Sequence, residues 1–75
     1  MDWQTRIELN PEILVGKPVI KGTRIAVEFI IDLLGQGWTE AQILTSYPQL
    51  KREDILAALQ YTSELLKEEA VYSLP

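Results

Sequence analysis

Few side chains in this sequence have the types and spacing that catalysis or metal binding requires. The chain has no cysteine and no histidine, which removes the usual ligands of zinc, copper and haem and the usual base for a hydroxyl nucleophile. The carboxylate pairs Glu53-Asp54 and Glu68-Glu69 are sequential, so they point different ways on a helix and are expected on a solvated face. We therefore predict that the protein is not an enzyme, has no catalytic residues, and holds no metal and no cofactor.

A local basic segment stands out against an acidic chain. The formal net charge is −4 at pH 7, which argues against a general binder of polyanions. Lys17, Lys21 and Arg24 nevertheless lie in a stretch, residues 13–24, that contains no acid. The glycines of this stretch lack the order of a phosphate-binding loop, so we interpret them as turn residues. The three cations either contact a phosphate backbone or pair with the acidic body, and both interpretations stay open.

Residues 1–26 are predicted to form an extended arm with short strands. Thr5 to Leu9 alternates polar and apolar residues, and Val19-Ile20 and Thr23 to Ile25 flank a tight turn at Lys21-Gly22. Two strands are marginally stable on their own in water. This arm must therefore lie either on the helices of its own chain or on a second chain.

Residues 27–70 are predicted to form three helices. The first ends near Gly37, and the tryptophan that follows is expected to fold back onto it. Thr39-Glu-Ala-Gln42 is a capping box that starts a short second helix, which Tyr47-Pro48 ends. The third helix is predicted from about Lys51 to Glu69. The apolar stripes expected to face the core are Val27, Ile30, Ile31 and Leu34 on the first helix and Ile55, Leu59, Thr62 and Leu66 on the third.

No segment has the composition of a signal peptide or the length of a membrane span. The longest apolar run, around Phe29 to Leu34, is interrupted by Asp32 and is far too short to cross a bilayer. We therefore expect a cytoplasmic protein with no membrane contact. Residues 71–75 are expected to form a frayed tail.

The order of the helices is that of a helix-turn-helix domain, in which the third helix enters the DNA major groove by its N-terminal end. Gln49, Lys51 and Arg52 lie at that end and suit base edges or phosphates. Glu53 and Asp54 beside them would repel phosphates. Because many three-helix domains never touch DNA, the alternative is that these cations are ordinary surface charges. DNA binding is thus a hypothesis about this end of the third helix.

A chain of 75 residues has a thin core, and self-association is one way to supplement it. Phe29 and Leu33 form a second apolar edge on the first helix, and we expect this edge to contact a partner. Trp3 lies ahead of any strong pattern and is expected to sit on a neighbouring chain. These three residues predict a homodimer.

The chain resembles the bacterial "domain of unknown function four-three-three" family over residues 5–69. The resemblance rests on Gly-Lys-Pro-Val-Ile-Lys-Gly-Thr-Arg-Ile at 16–25 and Tyr-Pro-Gln-Leu at 47–50, in that order. The family's signature turn falls on Gly22, Thr23 and Arg24. The resemblance implies a mainly α, homeodomain-like three-helix domain with a β-containing arm. It further implies a VapB-type antitoxin that binds a PIN-like ribonuclease toxin and, as a second ligand, operator DNA.

Two residues depart from the pattern of that family. Val15 stands where a second glycine is frequent, which predicts a less sharp first turn. Lys51 stands where a threonine or serine cap is usual, which removes a cap worth about 0.5–2 kcal/mol. Few residues follow the third helix, so a toxin would be gripped by the arm or by a helical face. The alternative function is a stand-alone protein-interaction adaptor, or a small transcription regulator without a toxin.

Overall fold

The computed structural model describes residues 2–69, which fold into three helices preceded by a short antiparallel pair of strands. The predicted class, mainly α with a short β-containing arm, is confirmed. The predicted frayed tail lies outside the described residues. The elements are a 3-10 turn at Trp3–Thr5, β1 Ile7–Glu8, a 3-10 turn at Leu14–Gly16, β2 Val19–Ile20, α1 Val27–Gly35, α2 Glu40–Ser46 and α3 Arg52–Glu69.

The ends of α1 and α2 follow the local signals of the sequence. Gly37 has a φ of +96°, and the Trp38 N–H donates to the Leu33 carbonyl over 3.0 Å. This left-handed ending closes α1 and turns the tryptophan back, as predicted. The capping box is also confirmed, since the Thr39 hydroxyl accepts from the Gln42 N–H at 3.1 Å and the Gln42 side chain accepts from the Thr39 N–H at 2.8 Å.

The arm lies on the helices of its own chain. β1 and β2 pair with Ile7 opposite Ile20, and both side chains are buried in the core with residues of all three helices. On its other side β2 meets the start of α1, because Val19 forms a bridge with Ala26. β1 is shorter than the predicted strand from Thr5 to Leu9, since the Asp2 carboxylate accepts from the Gln4 N–H and starts a 3-10 turn instead.

The core lies where the sheet, α1, α2 and the first half of α3 meet. Its buried hydrophobic residues are Ile7, Val19, Ile20, Val27, Ile30, Leu33, Ile43, Leu50, Ile55, Ala57 and Ala58. On α3 the buried apolar residues end at Ala58, and the second half of this 18-residue helix extends past them. Among residues 2–69 no helix is both long and apolar enough to cross a membrane.

The Leu14–Gly16 turn has left-handed backbone at residues that rarely adopt it. Leu14, Val15 and Gly16 have φ values of +49°, +56° and +82°. Val15, at the position where glycine is frequent in the family, therefore does not make the turn less sharp, contrary to the prediction. The backbone keeps the glycine-like geometry, and each L residue there carries a strain of about 1–2 kcal/mol.

Val15→Gly is accordingly expected to raise the free energy of unfolding by about 1 kcal/mol, because released strain exceeds the added chain entropy of glycine. In thermal unfolding this corresponds to a Tm rise of roughly 4–8 °C for a domain of this size. Gly16→Ala is the matched reverse change. A Cβ at that position would meet only ordinary contact, 3.7 Å from Pro11 Cα, so its destabilisation reports the backbone alone. An unchanged or lower Tm for Val15→Gly would show that the turn is unstrained.

Candidate interaction surfaces

The signature turn is a rigid structure built by its own side chains. Gly22 has a φ of +84°, a region that favours glycine. The Thr23 hydroxyl donates to the Ile20 carbonyl at 2.8 Å and accepts from the Ile25 N–H at 2.9 Å. Arg24 is exposed. The glycine and the threonine therefore shape the turn, and the arginine is left at the surface.

A chain of hydrogen bonds joins the arm to the start of α3. The Lys21 N–H donates to the Arg6 carbonyl at 2.8 Å, and Arg6 Nη1 donates to Asp54 Oδ1 at 2.8 Å. The second oxygen of Asp54 accepts from the Lys51 N–H at 2.9 Å. The arm and the first turn of α3 are thereby brought to one end of the domain. We call the exposed cations Lys21 and Lys51 at this end, together with exposed Arg24 three residues after Lys21, the basic end.

Asp54 is not on a solvated face, so that expectation from the sequence is wrong. Its residue exposure is 5%, and its carboxylate is satisfied by Arg6 and by the backbone of Lys51. A signal was available, because an acid three residues after the residue that precedes a helix can cap that residue's N–H. No sequence pattern indicates Arg6 as the partner of this acid, because Arg6 lies 48 positions from Asp54 in the sequence. The Asp54 carboxylate thus supplies one half of a capping box, and the other half, a hydroxyl that accepts from the amide of residue 54, is absent because residue 51 is a lysine.

The remaining predicted DNA-contacting residues differ in their surroundings. Lys17 pairs with Glu28 at 3.1 Å, and Arg52 pairs with Glu40 at 3.1 Å, both as exposed ion pairs. Such pairs are worth at most about 1 kcal/mol, so a phosphate could replace either acid. Gln49 is exposed in the turn between α2 and α3. Among the side chains of residues 2–68, no acid lies within 4.0 Å of the basic groups of the basic end.

Two of the three residues expected on a partner surface are used inside the chain. Leu33 is only 6% exposed and belongs to the core, so its prediction as a surface residue is corrected. The Trp3 ring packs edge-on against Tyr61 of α3 at a centroid distance of 5.0 Å and is half-buried there, and its contact with a neighbouring chain stays a prediction. Phe29 remains 38% exposed and stacks edge-on with Tyr47.

The prediction that Leu33 lies on an exposed edge is wrong because of the way α1 is rotated about its axis. The buried positions of α1 are Val27, Ile30 and Leu33, whereas Ile31 and Leu34 are only half-buried. The helix therefore turns Leu33 inward and brings Ile31 to the edge of the core. Periodicity alone could not separate these stripes, because α1 is apolar over more than half of its circumference.

An apolar groove between α1 and α3 was missed by the sequence analysis. It is a shallow depression with a volume of about 430 Å³ that is widely open to solvent. Leu59 and Leu66 on its wall are 44% and 62% exposed. The predicted stripe of the third helix places both residues in the core, and their exposure shows that this prediction is wrong. We call it the α1–α3 groove, and its lining residues are Ile31, Leu59, Thr62, Ser63, Leu66 and Lys67.

The comparisons with known proteins bear on this fold directly. The sequence model of the family described as "Protein of unknown function (DUF433)" matches residues 7–62. The chain belongs to the DUF433 family. The crystal structure of a DUF433 member protein from Anabaena variabilis ATCC 29413 superposes with a TM-score of 0.80 at 31% identity. That likeness covers 87% of this chain and 64% of the other, so this chain spans less than two thirds of that protein's length. No curated protein matches the chain.

The DUF433 match includes the signature turn, Asp54 and the Leu59 end of the groove, but it ends at Thr62 inside α3. Leu66 and Lys67 at the far end of the groove lie beyond the matched residues. In this DUF433 protein the groove therefore combines family positions with positions outside the family match.

Proposed function

We propose that this DUF433 protein is the antitoxin of a toxin–antitoxin pair and that it binds a PIN-like ribonuclease toxin through the α1–α3 groove. The observation that carries the proposal is the exposure of Leu59 and Leu66 beside Ile31. Exposed apolar side chains that lie side by side can take part in protein contacts when a partner covers them. A groove of this shape suits an amphipathic helix, whose apolar residues recur at spacings of three and four.

The charge of the chain supports the same class of partner. The net charge is −4, and a ribonuclease that grips a polyanionic strand needs a basic surface. Complementary charges speed association and orient the two proteins before apolar contacts form. Burial of the apolar side chains of the groove then adds a favourable contribution, on the order of 25 cal/mol for each Å² of apolar surface removed from water, which must exceed the entropic cost of association.

Co-expression with a ribonuclease encoded beside the gene tests this proposal. The untagged protein is expected to co-purify with the tagged ribonuclease and to suppress its cleavage of RNA. A ribonuclease that purifies alone and stays fully active in the presence of this protein would contradict the antitoxin role. That result would favour the alternative, a stand-alone adaptor or regulator.

Operator DNA is a second candidate ligand, supported by the basic end. Lys21, Arg24 and Lys51 project from the arm and from the start of α3, where a helix-turn-helix domain meets DNA. Exposed Glu53 at the same place weakens the fit, because it would face phosphates. DNA contact therefore depends on the three cations acting together.

Replacing Lys21, Arg24 and Lys51 together with alanine is expected to weaken the binding of the gene's own upstream DNA, measured by band shift, with enough affinity left at low salt to follow its salt dependence. If each cation neutralises one phosphate, the dependence of log K on log salt falls by about 2.7. Lys67→Ala removes a cation from the other end of α3 and should leave both the affinity for DNA and its salt dependence unchanged. Wild-type protein that gives no salt-dependent shift at low salt would eliminate DNA as a ligand.

A further inference from the structure

A small polar cleft lies between the arm and the first turn of α3. It has a volume of about 300 Å³, is open to solvent, and is lined by Thr5, Arg6, Lys21 and Asp54. Two of these side chains are cations and one is an acid. Exposed Glu53, the other acid in the first turn of α3, does not line the cleft. This Arg6–Lys21 cleft is therefore positive on balance, although the whole chain is acidic.

The pairing of the two strands places the two cations of the cleft side by side. Ile7 lies opposite Ile20 in the antiparallel register, and the hydrogen bond from the Lys21 N–H to the Arg6 carbonyl, at 2.8 Å, extends the pairing by one residue. Opposite residues of an antiparallel pair project from the same face, with Cβ atoms about 5 Å apart. Like charges at such positions repel each other, so an anion between the two side chains would stabilise the arm.

Asp54 offsets the charge of Arg6 but not that of Lys21. Its Oδ1 accepts from Arg6 Nη1 at 2.8 Å and its Oδ2 accepts from the Lys51 N–H at 2.9 Å, so both carboxylate oxygens are engaged. Lys21 lines the same cleft, yet no acidic side chain of residues 2–68 lies within 4.0 Å of its ammonium group. In the described part of the chain the guanidinium makes one hydrogen bond, through Nη1, and its other N–H groups remain available to a ligand.

We propose that the Arg6–Lys21 cleft binds one phosphate group of a DNA backbone. The inference rests on operator DNA, the second candidate ligand, and assigns a site to it. An ammonium and the planar fork of a guanidinium are well suited to phosphate oxygens, and Asp54 holds the guanidinium in place. DNA is the source of the phosphate because Asp54 belongs to the first turn of α3, the part of a helix-turn-helix domain that meets DNA. Exposed Arg24 and Lys51 can contact further phosphates of the same backbone.

Lys21→Gln and Arg6→Lys test the site in band shifts with the gene's own upstream DNA. Lys21→Gln removes one cation and should lower the slope of log K against log salt by about 0.9. Arg6→Lys keeps the charge, so the slope should stay unchanged, but it loses the fork that binds a carboxylate and a phosphate together, which should weaken binding at least about tenfold. Thermal unfolding shows that each variant is folded, and wild-type affinity in both variants would overturn the site.

Inorganic phosphate tests the cleft without DNA. Titrated into the 15N-labelled protein in exchange for chloride at constant ionic strength, it should shift the amide signals of Arg6 and Lys21. Lys21→Gln should lose this response. Arg24→Gln is the matched control, because it removes one cation of the same turn that does not line the cleft, and it should respond as wild type does.

The outcomes separate the cleft from the proposed function. A wild-type protein that does not respond to phosphate, or an Arg24→Gln variant that loses the response as Lys21→Gln does, would overturn the cleft as an anion site. A cleft that binds inorganic phosphate in a protein that gives no band shift would overturn DNA as the source. The antitoxin role is decided separately, by co-purification with the ribonuclease.

Discussion

Replacing Asp54 with alanine is expected to lower the free energy of unfolding by about 3 kcal/mol. The change removes the acceptor of both the Arg6 ion pair and the Lys51 N–H bond. The Arg6 side chain is 32% exposed and regains part of its hydration, which places the loss at the lower end for a broken buried pair. A domain of this length has a total stability of about 4–11 kcal/mol, so the effect is a large share of it.

Urea unfolding followed by tryptophan fluorescence measures this loss. Glu53→Ala is the matched control, because it removes the neighbouring acid, which is exposed, and should cost less than about 0.5 kcal/mol. A double-mutant cycle of Asp54→Ala with Arg6→Ala should give a coupling energy of at least about 1 kcal/mol. Equal stabilities of the Asp54 and Glu53 variants would refute the role of Asp54 in tying the arm to α3.

Replacing Leu59 and Leu66 together with glutamate is expected to weaken ribonuclease binding at least about hundredfold. Each leucine loses the burial that the partner would provide, worth about 1.5–3 kcal/mol for a fully buried side chain. Two carboxylates must also be desolvated in an apolar groove. Both residues are already exposed, so the free energy of unfolding should change by less than about 1 kcal/mol.

Leu65→Glu is the control for this variant. It places the same charge on the same helix at a residue that is 42% exposed, but Leu65 does not line the groove. Binding is measured by calorimetric titration at constant salt. Because the double variant adds two negative charges and Leu65→Glu adds one, the single variants Leu59→Glu and Leu66→Glu are also each compared with Leu65→Glu. A Leu65 variant that loses as much affinity as the double variant would show that the groove is not the binding surface.

The parts of the fold that could be predicted from sequence are those set by local chemistry. Gly37 ends α1 and the pair Thr39 and Gln42 starts α2 because each signal acts within a few residues. The short strands of the arm could be predicted, but the surface on which the arm packs could not. That surface depends on Ile7 and Ile20 packing in one core with residues of α2 and α3, which lie far from the arm in the sequence.

The candidate site was harder to predict for the same reason. The pairing of Arg6 with Asp54 joins residues 48 positions apart, and no periodicity encodes it. The apolar stripe on α3 could be predicted from its spacing. Which of its residues are buried could not be predicted, because the core ends at Ala58 while the helix continues. Helical spacing therefore identified Leu59 and Leu66 without telling whether this chain or a partner covers them.

The most direct test of the groove as the partner site is an NMR titration of the 15N-labelled protein with the unlabelled ribonuclease. Binding at the groove predicts that amide signals around Ile31, Leu59 and Leu66 shift or broaden in proportion to the complex formed. Signals of the basic end, at Lys21, Arg24 and Lys51, should stay in place. Changes confined to the basic end, with the groove signals unmoved, would contradict the account.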